Sequence, residues 1–588
     1  MSQKNPVPRP STSVWQARAG SGSLRLPIPE AIRSVNEPAE PNKRKALGAY
    51  YTDSQVADFL IWWAVRSKAD TVLDPSFGAG VFLRSAARRI RALNGNPEKL
   101  IFGVELDASV HGSISRLLRQ EFRIPANNLL HSDFFDVLQQ FGPVDAVVGN
   151  PPFIRFHKFN GDARGKALTR AAEQGLVLSE LSSSWLPFLV HSTRFVAEGG
   201  RLAMVIPFEI GHAQYARPVL RFLADNFQSV TFLTFRKKLF SDLSEDTLLL
   251  LADGKHRHKG IAEFLIRDLA HSGVLGELEK TNRLPLLGVR HLDTNAIAGG
   301  GQRLIEALIP GGARDLYREL RNHTTTIRLG KLADVGIGYV TGANDFFHLS
   351  PFVARIREIP PKFLRRCVRR GRGLSGLRFT DQDWENLVPT NEAGYLLHLT
   401  SNRPLPKSVA RYLEDGEAAG VHQGFKCSNR TPWYRVPHVY QPDALLTYMS
   451  GSKPKLVANH AAVVAPNSLH ILRCHPDSPY SGDHISALWQ TSLTQLSVEI
   501  EGHSLGGGML KVEPTEAELV LLPSIPANQC LESLAGELDE IARKRGDSAC
   551  REYADEHLLH RQLGLTTKDV LHLRAAADQL ASRRSSRN

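Results

Sequence analysis

Between about residue 46 and residue 265, short runs of Val, Leu, Ile and Phe that stop at turn residues alternate with stretches of helical spacing. That alternation is the pattern of βα units around a mostly parallel sheet, an α/β fold. The runs predict strands at 71–73, 101–104, 144–148, 201–206, 229–235 and 247–252, with helices over 56–65 and 81–93. Upstream, residues 1–45 are rich in Pro, Ser and basic side chains with little periodicity, which predicts a flexible arm. Downstream, 266–325 is richer in Gly and turns, carries one expected helix at 303–321, and reads as an interdomain connection. Residues 326–526 show scattered short strands among Pro, Gly and Asn breaks, as expected of a second, mixed α+β domain. The last segment, 527–588, returns to helical spacing and closes on Arg583, Arg584 and Arg587.

The chemistry sits where the expected strands end. Asp74-Pro-Ser-Phe-Gly-Ala-Gly80 follows the first strand and turns into a helix, and glycines there let backbone approach a ligand at the carboxyl edge of the sheet. The run is not G-x-G-x-x-G, so the dinucleotide fingerprint is absent. The second strand closes on Glu105, a carboxylate placed to accept hydrogen bonds from a ribose diol. Asp133-Phe134 follows, a carboxylate and a ring suited to an adenine amine and its plane. Together these stops fit a nucleoside with a positively charged tail.

The next strand ends in Asn150-Pro-Pro-Phe153. Two prolines remove backbone donors and stiffen the loop, so the Asn150 carboxamide oxygen and the Pro151 carbonyl can both accept from one exocyclic amine. An amine conjugated to a ring is a poor nucleophile. Accepting both of its N–H groups favours a pyramidal nitrogen whose lone pair points at an electrophile, which is catalysis by positioning and electrostatics. Phe153 would stack on the flat base.

At these residues the sequence resembles the gamma-class DNA adenine-N6 methyltransferases of bacterial restriction-modification systems, the TaqI and Eco57I types. The resemblance extends to motif order, since Gly48-Ala-Tyr-Tyr-Thr52 and a helix precede Asp-Pro-x-Phe-Gly-x-Gly. It implies a Rossmann-like S-adenosylmethionine-dependent methyltransferase domain at 46–265 and a target-recognition domain at 326–526. It further implies that Tyr51, Thr52, Asp74, Pro75, Gly78, Gly80, Glu105, Asp133 and Phe134 line the S-adenosylmethionine site, and that Asn150, Pro151, Pro152 and Phe153 form the catalytic loop. Phe240 stands where the family offers an aromatic to the flipped-out base. Asp53 stands where the family commonly has a proline, and Phe153 where it more often has Tyr. Cytosine-N4 methyltransferases share the loop but tend toward Ser-Pro-Pro, and glutamine-N5 methyltransferases are smaller; a methylase-fold DNA-binding protein without activity stays open as well.

Composition then adds a partner. Lys and Arg number 72 against 60 Asp and Glu, a formal charge of +12, which suits a polyanion as well as it suits solubility. Residues 362–378 hold seven Lys and Arg and no acid, so Arg365, Arg366, Arg369 and Arg370 are expected along a phosphate backbone. Arg435 and Lys511, in segments that resemble target-recognition domains at lower specificity, are expected DNA contacts. Double-stranded DNA is thus the expected partner, and a monomer the expected state. No Glu-x-Lys occurs in the chain, so a cognate restriction endonuclease is expected to be a separate protein. Five cysteines without a C-x-x-C pair and scattered histidines suggest no metal site, and the absence of a long apolar run suggests a cytoplasmic protein away from membranes.

Overall fold

The computed structural model describes residues 52–154, 159, 161–180, 182–240, 246–256, 260–282, 286–400, 404–505 and 508–585. Its first feature is the helix Ser54–Ala64, started by Asp53, whose side chain accepts from the Gln55 N–H at 2.7 Å. Val56, Phe59, Leu60, Ile61, Trp62 and Trp63 are all buried, so this helix is apolar nearly all round and lies within the core.

Nine strands follow in one sheet: β1 (Val72–Asp74), β2 (Ile101–Glu105), β3 (Leu129–His131), β4 (Val144–Gly149), β5 (Val196–Pro207), β6 (Ser229–Phe235), β7 (Thr247–Asp253), β8 (Glu263–Leu269) and β9 (Arg290–His291). Their order is β3-β2-β1-β4-β5-β7-β6-β8-β9. The pairs from β3 across to β5 are parallel, and β7 inserts antiparallel between β5 and β6. β7 carries Leu248, Leu249, Leu250 and Leu251 at 0% exposure, a continuous run because helices cover both faces of the sheet. The chain order reverses between β1 and β4, so the loops after these two strands open side by side at the carboxyl edge, where such sheets bind ligands.

The stretch 266–325, expected as a connection, instead joins this first core. It completes β8, adds β9, and packs Ile297, Ile305, Tyr317 and Leu320 against the sheet domain. The single helix expected at 303–321 is divided: a 3-10 turn, Leu304–Leu308, is separated by Pro310 from the helix Gly311–Asn322. Proline at that position lacks the N–H a continuous helix needs.

The second domain is built on a five-stranded sheet formed by Ala333–Ile337, Leu469–Cys474, Ala444–Thr447, Leu456–Asn459 and Arg378–Phe379. Beside it lie a three-stranded sheet that includes Leu364–Val368 and a small sheet joining Met449–Ser450, Leu510–Lys511 and His503–Ser504. The C-terminal helices serve different cores. Gln529–Ala554 buries Leu531, Ala535 and Leu538 in the second domain, whereas Thr567–Ser585 returns to the first and buries Leu573, Ala576 and Leu580 there.

Buried ion pairs tie these parts together. Arg303, 5% exposed, pairs with Glu501 and donates to the His212 carbonyl. Arg584, also 5% exposed, pairs with Glu499 at 2.9 Å and donates to the carbonyls of Ser452 and Gly508. Each charge is satisfied by its partner and by carbonyls, which is the condition for tolerating it away from water. Among the described residues, no helix is long and apolar enough to cross a membrane.

Candidate active site

The loop after β1 begins with Asp74, which is completely buried. Its Oδ1 accepts from the Ser76 N–H at 3.0 Å, and its Oδ2 has no hydrogen-bond partner among the described residues. Burial pushes its carboxyl up to about 8, the Ser76 hydrogen bond opposes that, and the nearby Glu105 adds to it. Gly80 follows at φ +71°, and a Cβ there would stand 2.6 Å from Ile114 Cγ2, so both backbone and packing require glycine.

Glu105, at the end of β2, is held by two backbone donors. Its Oε2 accepts from the Gly78 N–H at 2.9 Å and its Oε1 from the Asp107 N–H at 2.8 Å. The carboxylate therefore joins the loops after β1 and β2. Directly after it, Leu106 is 59% exposed, an apolar surface beside the carboxylate whose one mark in the sequence is an apolar residue immediately beyond a strand-closing acid.

Asp133 accepts from the Phe135 N–H at 3.0 Å and lies 3.6 Å from Lys166 Nζ. Phe134 differs from expectation. It is only 4% exposed and packs against Phe188, His191 and Phe195 with centroids 4.7–5.4 Å away, so its ring is committed to the core. Burial pushes the His191 imidazole down to about 4, leaving a neutral ring among these phenylalanines.

The loop after β4 touches the first one directly. A Cβ at Gly149 would sit 3.1 Å from Asp74 Oδ1 and 3.4 Å from Pro75 Cδ. The Asn150 Nδ2 donates to Thr52 Oγ1 at 3.2 Å, while Asn150 Oδ1 is buried without a donor among the described residues. Ser76 Oγ donates to the Asn150 carbonyl at 3.3 Å. Pro151 is buried, and Phe153, 8% exposed, belongs to the first core. Thr52, Asp74, Pro75, Asn150 and Pro151 are thus brought together; Tyr51 lies outside the described residues.

Beyond this centre, Phe240 is partly buried against the same core, and the segment 241–245 that follows it lies outside the described residues. At Asp246 the second domain comes close, with Ser504 Oγ 3.5 Å from Asp246 Oδ2. The wall next to β4 carries Glu209, which accepts from Trp185 Nε1 at 3.4 Å and from the Tyr215 hydroxyl.

The basic run does not form one surface. Leu364–Val368 is a strand, and its neighbours fold back onto the domain. Arg366 pairs with Asp381 and covers Trp384 at 4.8 Å; Arg369 donates to Asn391; Arg372 pairs with Glu392 and Arg378 with Asp483. Arg365 and Arg370 are exposed and make no ion pair among the described residues, and the same holds for Arg435. Lys511 is occupied by Glu513 and lies over Tyr448 at 5.2 Å.

The raised Asp74 carboxyl generates a measurable consequence for any cationic ligand, such as the S-adenosylmethionine that the resemblance implies. With the carboxyl near 8, Asp74 is mostly protonated at pH 7, and a positive charge brought beside Oδ2 favours the ionised form. Binding at pH 7 should be accompanied by proton release, and affinity should rise with pH until the carboxyl ionises unaided. Calorimetry in two buffers of different ionisation enthalpy reads the proton count, which should vanish in Asp74→Asn; no release by the parent would contradict the assignment.

Two family models match this chain. Residues 37–284 match N-6 DNA Methylase, and residues 302–559 match the C-terminal domain of type II methyltransferase M.Eco57I. Type II methyltransferase M.AccI of Acinetobacter calcoaceticus is 21% identical over 485 residues, 80% of this chain and 84% of its own. Type II methyltransferase M.PaeR7I of Pseudomonas aeruginosa is 24% identical over 550 residues, 86% of this chain and 90% of its own. Among solved structures, the type IIL restriction-modification enzyme MmeI in complex with DNA shares the fold, with a TM-score of 0.56 over 94% of this chain and 81% of its own at 13% identity. The paired loops at the carboxyl edge and the two domain matches place the chain among the N6-adenine DNA methyltransferases of restriction-modification systems, which take their methyl group from S-adenosylmethionine.

Proposed function

We propose that Asn150 and the loop it opens carry methyl transfer to the N6 amine of an adenine rotated out of duplex DNA. The observation that carries this reading is the asymmetry of the Asn150 carboxamide. Its nitrogen is committed to Thr52, and its oxygen is buried, without a partner among the described residues, and available to accept. An unpaired acceptor away from water is costly unless a substrate donor completes it. Together with the Pro151 carbonyl, this oxygen would accept the two N–H groups of the amine and localise its lone pair. Once alkylated, the nitrogen is cationic and acidic, so it loses its proton without a strong base.

The residues present suit S-adenosylmethionine. Asp74 Oδ2 is a buried acceptor without a partner among the described residues, suited to a positive charge, and beside it a Cβ at Gly78 would meet nothing closer than 4.0 Å. Thr52, Asp74, Pro75, Gly78, Gly80, Glu105 and Asp133 would hold the cofactor, with Leu106 rather than Phe134 as the apolar surface. Bound there, the cofactor supplies an electrophilic methyl group on a sulfonium. Phe153 and Phe240 would face the flipped base.

A stacked and paired adenine must be unpaired and rotated out, which costs a few kcal/mol and requires contacts on both flanks of the duplex. The second domain would supply them, and one chain carrying both domains is sufficient as a monomer. Cleavage would belong to a separate endonuclease, since no Glu-x-Lys occurs in the chain, and a genomic substrate places the enzyme in the cytoplasm.

Two measurements test the reading. Single-molecule sequencing of DNA from cells that express the chain should report N6-methyladenine at one recurring sequence, and N4-methylcytosine there would overturn the choice of base. For the interface, replacing Arg365 and Arg370 together by Ala should lower the slope of log affinity against log salt by about 2. Arg366→Ala, which removes the partner of Asp381, should leave that slope unchanged; an equal effect on the slope would contradict the distinction between free and paired arginines.

A further inference from the structure

We infer that Ser184 is a positioning residue for the catalytic loop, setting the orientation of Phe153 and of the acceptors before it; the inference rests on the role proposed for that loop. Pro151 and Pro152 carry no N–H, so neither position can donate a backbone hydrogen bond to fix the start of the segment that follows β4. The Ser184 hydroxyl holds that segment from another element. Its Oγ donates to the Pro152 carbonyl at 2.5 Å and accepts from the Ile154 N–H at 2.8 Å, while the Ser184 N–H donates to the Ile154 carbonyl at 3.0 Å. One side chain therefore fixes the peptide groups on both sides of Phe153.

Ser184 is itself held firmly. It is 2% exposed and stands directly before the helix Trp185–Thr193, whose first residue is fully buried. Trp185 Nε1 donates to Glu209, which also accepts from Tyr215 and lies in the turn after β5. β5 is the parallel neighbour of β4, with Met204 paired to Gly149, the residue before Asn150. The hydroxyl thus refers the loop to the same sheet that carries its first residue. A serine has one donor and two acceptor positions, and this geometry uses the donor and one acceptor. Alanine would leave the Pro152 carbonyl and the Ile154 N–H unpaired and the two peptides free to turn. Because displacements of about 1 Å in a reacting geometry cost up to ~100-fold in rate, the effect belongs on the transfer step.

The test compares the full-length parent, Ser184→Ala, Ser184→Thr and Asn150→Ala in single-turnover methyl transfer to unmethylated bacterial DNA, with cofactor affinity and melting temperature measured in parallel. Expected is a ~10- to 100-fold loss of the transfer rate in Ser184→Ala with cofactor affinity within about 2-fold of the parent, and recovery to within about 5-fold in Ser184→Thr, which keeps the hydroxyl. If Ser184→Ala transfers at the parental rate while Asn150→Ala does not, the positioning role is overturned and the catalytic reading stands. If Asn150→Ala itself transfers at the parental rate, the catalytic reading fails and this inference with it. Loss of cofactor affinity or melting temperature in proportion to rate, without recovery in Ser184→Thr, would reduce Ser184 to a structural residue and also overturn the inference.

Discussion

Two successive prolines leave two positions of the turn after β4 without a backbone donor, and the architecture of the site follows from how that turn is nevertheless held. Three hydroxyls from three different elements do it. Thr52, before the first helix, takes the Asn150 amide nitrogen; Ser76, in the loop after β1, donates to the Asn150 carbonyl; Ser184 bridges Pro152 and Ile154. Among the described residues, the Asn150 carboxamide oxygen, buried at the carboxyl edge of the sheet, remains unclaimed. In the proposed reaction this acceptor is kept for a substrate donor, and preorganisation of that kind costs little at the moment of reaction.

The same hydroxyls couple the two loops proposed to hold the cofactor and the base. Asp74 is bonded to the Ser76 N–H, whose side chain reaches Asn150, and Gly149 has no side chain because Asp74 and Pro75 occupy that space. Two buried acceptors, Asp74 Oδ2 and Asn150 Oδ1, thus sit on adjoining loops. Each is suited to a different part of the reaction, the first to a positive charge and the second to an amine. The second domain is drawn against this edge by Ser504 at Asp246 and by the buried Arg303–Glu501 pair, so recognition and chemistry share one frame.

Much of this was legible in the sequence, for physical reasons. Strands buried on both faces read as continuous apolar runs, so β1, β2, β4, β6 and β7 lie where the pattern puts them, within a residue or two. β3 is three residues long and partly polar, and β8 opens on Glu263 and carries Arg267 and Asp268 before its last residue, Leu269, so neither stands out as a run. Pro310 was a readable break inside the helix expected at 303–321. Periodicity does not say which core a helix joins, so the return of Thr567–Ser585 to the first domain was not readable. The basic run misleads for a related reason. Its partners Asp381, Asn391, Glu392 and Asp483 are remote in sequence, and a strand sends alternate residues to opposite sides. Phe134 follows an acid as an adenine-stacking residue would, yet its neighbours Phe188, His191 and Phe195 come from elements more than fifty residues away. Ser184, third in a row of serines, carries no signal at all until the loop it holds is seen beside it.

In the proposed reaction the Asn150 carboxamide oxygen activates the amine. The most direct measurement is the rate of a single methyl transfer to DNA by Asn150→Ala with cofactor already bound. Expected is a loss of ~100- to 1000-fold, the scale for removing one preorganised group at a developing charge, with cofactor affinity retained. A parental rate in that variant would contradict it.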